Sequence, residues 1–140
     1  MINTHVPLDV INGFSKNTLL EHLDIRVTAI EETYLEATMP VNSNTHQPVG
    51  LLHGGASAAL IESLGSIGSS LIVDMDKFGI VGLEINANHV KGVRSGLVTG
   101  RATVVHAGRT THIWQVDVRD ENENLISTGR LTVLIIEKKN

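Results

Sequence analysis

The chain has 140 residues, a net charge of -4 and no cysteine, and aromatic residues make up only 3% of it. This length fits one domain over residues 1–140 with a buried core, which Leu, Ile, Val and Ala must fill because aromatics are scarce. The negative charge argues against a general nucleic-acid-binding protein, and the lack of cysteine excludes disulfides, thiolate metal sites and a cysteine nucleophile.

The first third of the chain predicts one short helix and two strands. Residues 15–23, "SKNTLLEHL", are typical of a short helix that Ser15 or Asn17 could cap. Residues 24–30 and 33–39 alternate apolar with polar side chains, which is the pattern of half-buried strands. The two glutamates between these strands suggest a hairpin turn.

A long helix is predicted from Gly55 to Val73. Its apolar side chains recur every three or four residues and form a continuous stripe that consists of Leu60, Leu64, Ile67 and Leu71. Gly65 and Gly68 interrupt the helix, and each costs ~1 kcal/mol relative to Ala. We therefore expect another element to approach the helix closely at these glycines.

The rest of the chain predicts four strands, over residues 80–90, 96–105, 110–120 and 125–137. The connections between them are too short for crossover helices, so we expect antiparallel pairing. The predicted fold class is α+β, with one long central helix wrapped by a curled antiparallel sheet of about six strands. Self-pairing into a dimer would cover the edge strands of such a sheet.

The stretch "QPVGLLHGGASAALIESLGS" carries the main functional signal. His53 and the two glycines after it stand where a loop becomes the long helix, so the first amides of the helix are free to bind an anion or an oxyanion. Glu62 follows two turns later on the same face, and Ser66 lies one turn beyond it. Two turns span ~10 Å, so a single carbonyl can reach both the amides and the carboxylate only if two subunits supply them.

Each of these residues also has a structural interpretation. Gly54 and Gly55 could let the chain turn tightly into the helix, Glu62 could be half-exposed and paired with a cation, and Ser66 could be a small packing residue. The periodicity alone leaves both interpretations open. No nucleophile elbow, Walker A or dinucleotide-binding motif is present, and the spacing of the seven histidines does not favour a metal site.

The chain has no sequence feature of an exported or membrane protein. Its first residues, "MINTHVPLDVINGFSK", lack a basic region followed by an apolar one, so they do not resemble a signal peptide. No apolar run approaches the ~20 residues that a membrane span needs. We expect a cytoplasmic protein without membrane or nucleic-acid partners.

The pattern Q-P-x-G-x-x-H-G-G-A-S-x-x-L-x-E-S-x-G-S, followed by V-G-L-E-I-N-A-N-H-V, resembles the hotdog-fold acyl-CoA thioesterases. The similarity spans nearly the whole chain and is greatest to the aryl-CoA branch, which contains the phenylacetate-pathway, enterobactin-proofreading and 1,4-dihydroxy-2-naphthoyl-CoA thioesterases. It implies hydrolysis of acyl-CoA, favouring aromatic acyl groups, with neither a cofactor nor a metal. It also implies a homodimer as the minimal active unit and a homotetramer built from two such dimers.

The resemblance assigns roles to five residues of the quoted stretch. Glu62 would be the catalytic carboxylate, as nucleophile or as general base, and the Gly54 amide would be the oxyanion donor. Gln47 and His53 would orient the thioester and the water, and Ser66 would help to position water near Glu62. The site would be shared, with Gln47, His53 and Gly54 facing Glu62 and Ser66 of the partner subunit.

The coenzyme A part of the substrate would lie along the later strands, again by resemblance. Gly82 would let the strand backbone approach the pantetheine arm, and His89 with Lys91 would lie near the nucleotide. Arg109 and Thr110 are candidates for binding a phosphate group of coenzyme A. Lys91 and Arg109 could equally be solvated charges at strand ends. The alternative function is a non-catalytic acyl-CoA-binding module, although such proteins tend to lack the carboxylate that Glu62 provides.

Overall fold

The computed structural model describes residues 1–139, which form three helices and six strands. The helices are α1 (Leu8–Gly13), α2 (Leu19–His22) and α3 (Gly54–Ser70). The strands are β1 (Arg26–Ile30), β2 (Tyr34–Pro40), β3 (Phe78–His89), β4 (Leu97–Ala107), β5 (Thr111–Asp120) and β6 (Leu125–Glu137). Within these residues, every helix is too short or too polar to span a bilayer.

The six strands make one antiparallel sheet in the order β1-β2-β4-β5-β6-β3. The chain leaves β2, runs through α3 to β3 at the opposite edge, and then returns to β4 beside β2. The sheet curls around α3 without closing into a barrel, because the edge strands β1 and β3 do not pair with each other. The predicted antiparallel sheet around one helix is therefore confirmed, and each predicted strand matches an observed one to within two residues.

The helix α3 lies on the sheet through a stripe of fully buried side chains. Leu60, Ile61 and Leu64 have no solvent exposure, and Leu71, the C-cap of the helix, is 7% exposed. The predicted stripe is thus correct except that Ile61, outside it, is buried and Ile67 is only partly buried. The helix also starts one residue earlier than predicted and ends at Ser70, three residues before Val73.

The two glycines in the middle of α3 admit side chains of the sheet. A Cβ on Gly65 would lie 2.5 Å from Cδ2 of Leu131, and a Cβ on Gly68 would lie 2.5 Å from Cη2 of Trp114. The expected close approach therefore takes place within one chain, between the helix and its own sheet. Trp114 is fully buried there, and its Nε1 donates to Oγ of Ser69 at 2.9 Å.

The N-terminal region differs from the sequence prediction. The predicted helix over residues 15–23 is confined to α2, and its cap is Thr18, whose Oγ1 accepts from the Leu20 N–H at 3.2 Å. Ser15 and Asn17 do not cap it, and Asn17 instead takes a left-handed conformation with φ of 61°. Helix α1 was not predicted, because it has no side-chain cap and packs a single buried residue, Ile11.

The two edge strands of the sheet differ in how their outer backbone groups are hydrogen-bonded. On β1, the side-chain amide of Asn12 in α1 donates to the Val27 carbonyl at 2.9 Å and accepts from the Val27 N–H at 2.8 Å. Asn12 thus occupies the place of a neighbouring strand. On β3, residues 1–139 supply pairing only from β6, and Val81, Leu83 and Ile85 are 37–60% exposed. The free edge of β3 is long, apolar and uncovered.

Candidate active site

The loop that leads into α3 is fixed by backbone hydrogen bonds. The Thr45 carbonyl accepts from the His53 N–H at 2.8 Å, and the Leu52 N–H donates to the Val93 carbonyl at 2.8 Å. A tight turn carries Gln47, whose N–H donates to the Leu51 carbonyl at 2.8 Å. The turn needs Gly50, which has φ of +80°, a conformation that side chains disfavour. These contacts hold Gln47 beside the start of the helix.

His53 is the N-cap of α3. Its Nδ1 accepts from the Gly55 N–H at 2.7 Å, so a neutral ring carries its proton on Nε2. Its carbonyl accepts from the Ala56 N–H at 2.9 Å. The Gly54 N–H, in contrast, has no hydrogen-bond acceptor within residues 1–139. Of the two glycine amides expected to be free, only that of Gly54 is a vacant donor at the positive end of the helix dipole.

The imidazole of His89, at the end of β3, lies against Gly54. A Cβ on residue 54 would be 2.5 Å from Nε2 of His89, so only glycine fits there while the ring keeps this place. The other ring nitrogen, Nδ1, lies 3.3 Å from Oγ of Ser127, which is fully buried on β6. The resemblance predicts that His89 lies near the nucleotide, and in one chain its ring lies at the helix N-terminus.

A cavity of about 280 Å³ opens at this helix N-terminus. It brings together four residues predicted for the site, which are Gln47, Gly54, His89 and Lys91. Ser57 also lines it, and its side chain is only 1% exposed. Ser57 has no predicted role, although its spacing of three from Gly54 places both residues on one helix face.

Glu62 lies further along α3 and is half-buried. Within residues 1–139 its carboxylate makes neither a hydrogen bond nor an ion pair. Burial raises its pKa above the ordinary value of 4.5. The interpretation of Glu62 as a carboxylate paired with a cation therefore does not describe this structure.

Gly82 of β3 lies against the carboxylate of Glu62. A Cβ on Gly82 would overlap Oε1 of Glu62, so the absence of a side chain there makes room for the carboxylate. Ser66, one turn beyond Glu62, is also half-buried. Eight residues separate Gly54 from Glu62, or ~12 Å along the helix. One chain therefore presents the free amide and the carboxylate at two separate places.

Arg109 and Thr110 lie far from the cavity. They form the turn between β4 and β5, where the Thr110 carbonyl accepts from the Ile135 N–H at 2.8 Å. Lys91, in contrast, follows β3 and donates its N–H to the Ile126 carbonyl at 3.3 Å. Ile126 and Ile135 are nine residues apart on β6, or ~30 Å. One chain does not bring Lys91 and the Arg109–Thr110 turn to the same phosphate.

A second cavity, of about 620 Å³, lies on the outer face of the sheet and holds none of the predicted site residues. Its charged side chains pair with one another, as in the contact of 2.7 Å between Nε of Arg101 and Oε1 of Glu36. Over residues 1–139, no three His, Asp or Glu side chains are close enough to hold a metal ion. Within residues 1–139, the Gly54 amide and the Glu62 carboxylate are thus two unpaired groups on one helix.

The architecture and these groups define a class of protein. A single helix wrapped by an antiparallel sheet is the hotdog fold, and a free helix N-terminus with an unpaired carboxylate on the same helix suits hydrolysis of a thioester. The profile of the Thioesterase superfamily matches residues 49–127. The chain belongs to this superfamily and is a thioester hydrolase.

Individual relatives agree with this assignment. The 1,4-dihydroxy-2-naphthoyl-CoA hydrolase of Escherichia coli is 44% identical over 131 residues, which cover 94% of this chain and 96% of that protein. The proofreading thioesterase EntH of Cronobacter sakazakii is 44% identical over 132 residues, with coverage of 94% and 96%. A crystal structure of a mutant thioesterase from Pseudomonas aeruginosa superposes with a TM-score of 0.95 at 44% identity, covering 98% of this chain and 99% of that one.

Proposed function

We propose that the protein hydrolyses acyl-CoA, with a preference for aromatic acyl groups, in a site that two subunits share. The observation that carries this proposal is the unpaired, half-buried carboxylate of Glu62 on the same helix as the vacant amide of Gly54. The preference for aromatic acyl groups is supported by the similarity to a 1,4-dihydroxy-2-naphthoyl-CoA hydrolase. Coenzyme A is part of the substrate, and the proposed reaction uses no cofactor.

The Gly54 amide stabilises the charge that develops on the thioester oxygen. Attack on the carbonyl carbon turns that oxygen into an oxyanion, and a donor at the positive end of a helix favours it over the neutral carbonyl. Gln47 borders the same cavity and supplies a side-chain amide that can orient the thioester. His53, whose Nδ1 is used by the cap, has its Nε2–H left to orient the thioester or the water.

Glu62 begins the reaction in one of two ways. As a nucleophile, its carboxylate attacks the carbonyl carbon, the C–S bond breaks, coenzyme A leaves as a thiolate, and water then hydrolyses the mixed anhydride. As a general base, it takes a proton from water, which attacks the carbonyl carbon directly. Ser66 lies one turn beyond and helps to position that water. A thiolate leaves readily, so neither route needs a strong general acid.

The site requires a second copy of the chain, because Gly54 and Glu62 are ~12 Å apart along one helix. Pairing of two β3 strands at their uncovered edges would bury Val81, Leu83 and Ile85. In such a dimer, Gln47, His53 and Gly54 face Glu62 and Ser66 of the partner subunit. We further propose that two dimers associate into a homotetramer and that the protein is cytoplasmic.

The coenzyme A part contacts residues of more than one subunit. Gly82, which bears no side chain, leaves the β3 backbone open to the pantetheine arm. Lys91, with His89, borders the cavity at the helix N-terminus. Arg109 and Thr110 are ~30 Å away in the same chain, so they would reach the phosphates of a substrate bound to another subunit.

Release of free thiol from a panel of acyl-CoAs tests this proposal. Wild type should hydrolyse benzoyl- or phenylacetyl-type thioesters faster than medium-chain acyl-CoAs. Glu62→Gln should lose most of the turnover, on the order of a hundredfold or more, while it still binds substrate. Glu31→Gln, a change of an exposed carboxylate in the β1–β2 turn, is the matched control and should keep the wild-type rate.

The outcomes separate the two functions. Near-wild-type turnover by Glu62→Gln would remove this carboxylate from the mechanism. Tight binding of acyl-CoA by wild type with no thiol released from any substrate would instead indicate a non-catalytic acyl-CoA-binding module.

A further inference from the structure

The buried hydroxyl of Ser127 makes its one hydrogen bond within residues 1–139 with the ring of His89. The two residues are opposite each other in the β3–β6 pair, and Oγ is 3.3 Å from Nδ1. Ser127 has no solvent exposure, so water cannot replace this partner. A hydroxyl that can bond only to this ring fixes the orientation of the ring.

The opposite ring nitrogen reaches the place where the thioester oxygen is proposed to bind. Nε2 is the atom that lies nearest to the position of a Cβ on Gly54. That Cβ and the Gly54 amide nitrogen would both be bonded to the same Cα, so the ring nitrogen and the amide are neighbours. Both border the cavity that Gln47 and Ser57 also line.

We propose that Ser127 is a positioning residue, whose hydroxyl donates to Nδ1 of His89 and so leaves the ring proton on Nε2, beside the Gly54 amide. The thioester oxygen then receives two donors, the Gly54 N–H and the His89 Nε2–H. This inference rests on the proposed function of the site. The proposal places the ring of His89 at the thioester oxygen, whereas the resemblance predicts that it lies near the nucleotide.

Two donors suit the chemistry better than one. An oxyanion gains most from preorganised donors that need no reorientation during the reaction. An imidazole without a partner on Nδ1 could rotate or exchange its tautomer, and a neutral ring with its proton on Nδ1 would present a lone pair to the oxyanion. The contact of 3.3 Å with Ser127 restrains the rotation, and a hydroxyl that donates to Nδ1 selects the tautomer with the proton on Nε2.

Kinetics of Ser127→Ala on benzoyl-CoA test the proposal. We expect kcat to fall on the order of ten- to a hundredfold with KM within about twofold of wild type. Ser127→Thr, which keeps the hydroxyl, should recover most of the rate. The matched control is Ser69→Ala, since Ser69 is equally buried and hydrogen-bonded to Trp114 but lies at the far end of α3. It should lower thermal stability and leave kcat unchanged.

A truncated substrate locates the effect. S-benzoyl-pantetheine lacks the nucleotide, so the loss of kcat in Ser127→Ala should persist with it if His89 acts at the thioester. A loss that appears only in KM, or only with full-length coenzyme A, would place the ring at the nucleotide and overturn the proposal.

Nitrogen NMR of the His89 ring gives a readout that is independent of turnover. We expect the Nε2–H tautomer in wild type and a mixture of tautomers in Ser127→Ala. A wild-type ring protonated on Nδ1 would contradict the inference. Glu62→Gln is measured beside these variants to keep the two proposals distinct. If Glu62→Gln loses turnover while Ser127→Ala has the same kcat as Ser69→Ala, only the role of Ser127 is rejected.

Discussion

At the scale of single residues, the site depends on two glycines, because a residue without a side chain leaves room for a neighbouring group. Gly54 leaves room for the ring of His89, and Gly82 leaves room for the carboxylate of Glu62. In each case the glycine permits a reactive group to lie against the backbone of another element. An alanine at either place would have to displace that group, although the chain could still fold.

The raised pKa of Glu62 predicts a pH dependence of activity. The charged carboxylate is the reactive form, and burial disfavours it, so kcat should fall as the pH drops through a pKa above 4.5. A kcat–pH profile with benzoyl-CoA measures this acidic limb. An acidic limb at or below 4.5 would show that burial does not perturb the carboxylate in the active protein.

The raised pKa of Glu62 also predicts a pH dependence of stability, opposite in direction to that of activity. The native state binds the Glu62 proton more tightly than the unfolded chain does, so this contribution to stability is present below the ordinary pKa and is lost as the pH rises through the raised one. Glu62→Gln should therefore melt at a higher temperature than wild type near neutral pH. Thermal denaturation followed by circular dichroism should show the difference shrinking at acidic pH.

At the scale of elements, the helix α3 was the most predictable part of the chain. Its stripe of Leu60 and Leu64 has a helical period that depends on neighbours in sequence alone. The neighbours of Gly65 and Gly68 were not predictable, because Leu131 and Trp114 come from distant strands. For the same reason the sequence analysis could place His89 on a strand but not against the start of α3.

The uncovered edge of β3 predicts that assembly and activity are linked. Val81→Lys puts a charge on an apolar edge residue that is 50% exposed, and pairing of two such edges would bury it. We expect the variant to be monomeric by light scattering and to lose thiol release, although the residues assigned to the reaction are intact.

Val105→Lys is the matched control for this change. Val105 is 54% exposed but lies on β4, away from the free edge of β3. It should keep the wild-type mass and rate. A monomeric Val81→Lys protein with full activity would contradict the shared site, and a variant that keeps the wild-type mass would contradict pairing through β3.

At the scale of the whole molecule, one buried histidine is expected to lower stability at acidic pH. His112 on β5 is 1% exposed, and its Nδ1 has no hydrogen-bond partner within residues 1–139. Burial, with smaller effects from His106 and the N-terminal amine, lowers its pKa below 6.5, whereas a backbone contact with Gly108 favours the charged ring. The neutral ring is therefore the form that the fold accommodates.

This histidine predicts an acid-sensitive fold. Because its native pKa is lowered, its contribution to stability is present above 6.5 and is lost as the pH falls through the native value. His112→Met should reduce the fall in melting temperature between neutral and mildly acidic pH. His5→Met, at an exposed histidine, should melt with the pH dependence of wild type. Identical pH profiles for His112→Met and wild type would show that another group causes the acid sensitivity.

The unlike edges of the sheet determine how far self-association can proceed. A sheet with two open edges can add copies at both ends and grow into a fibre. Here Asn12 bonds to both backbone groups of Val27 on the β1 edge, whereas residues 1–139 supply no such contact to the outer edge of β3. In the proposed dimer, twofold pairing through β3 would use that edge in both copies, and growth by edge pairing would stop at two. We therefore expect Asn12, which is remote from the proposed site, to hinder pairing at the β1 edge.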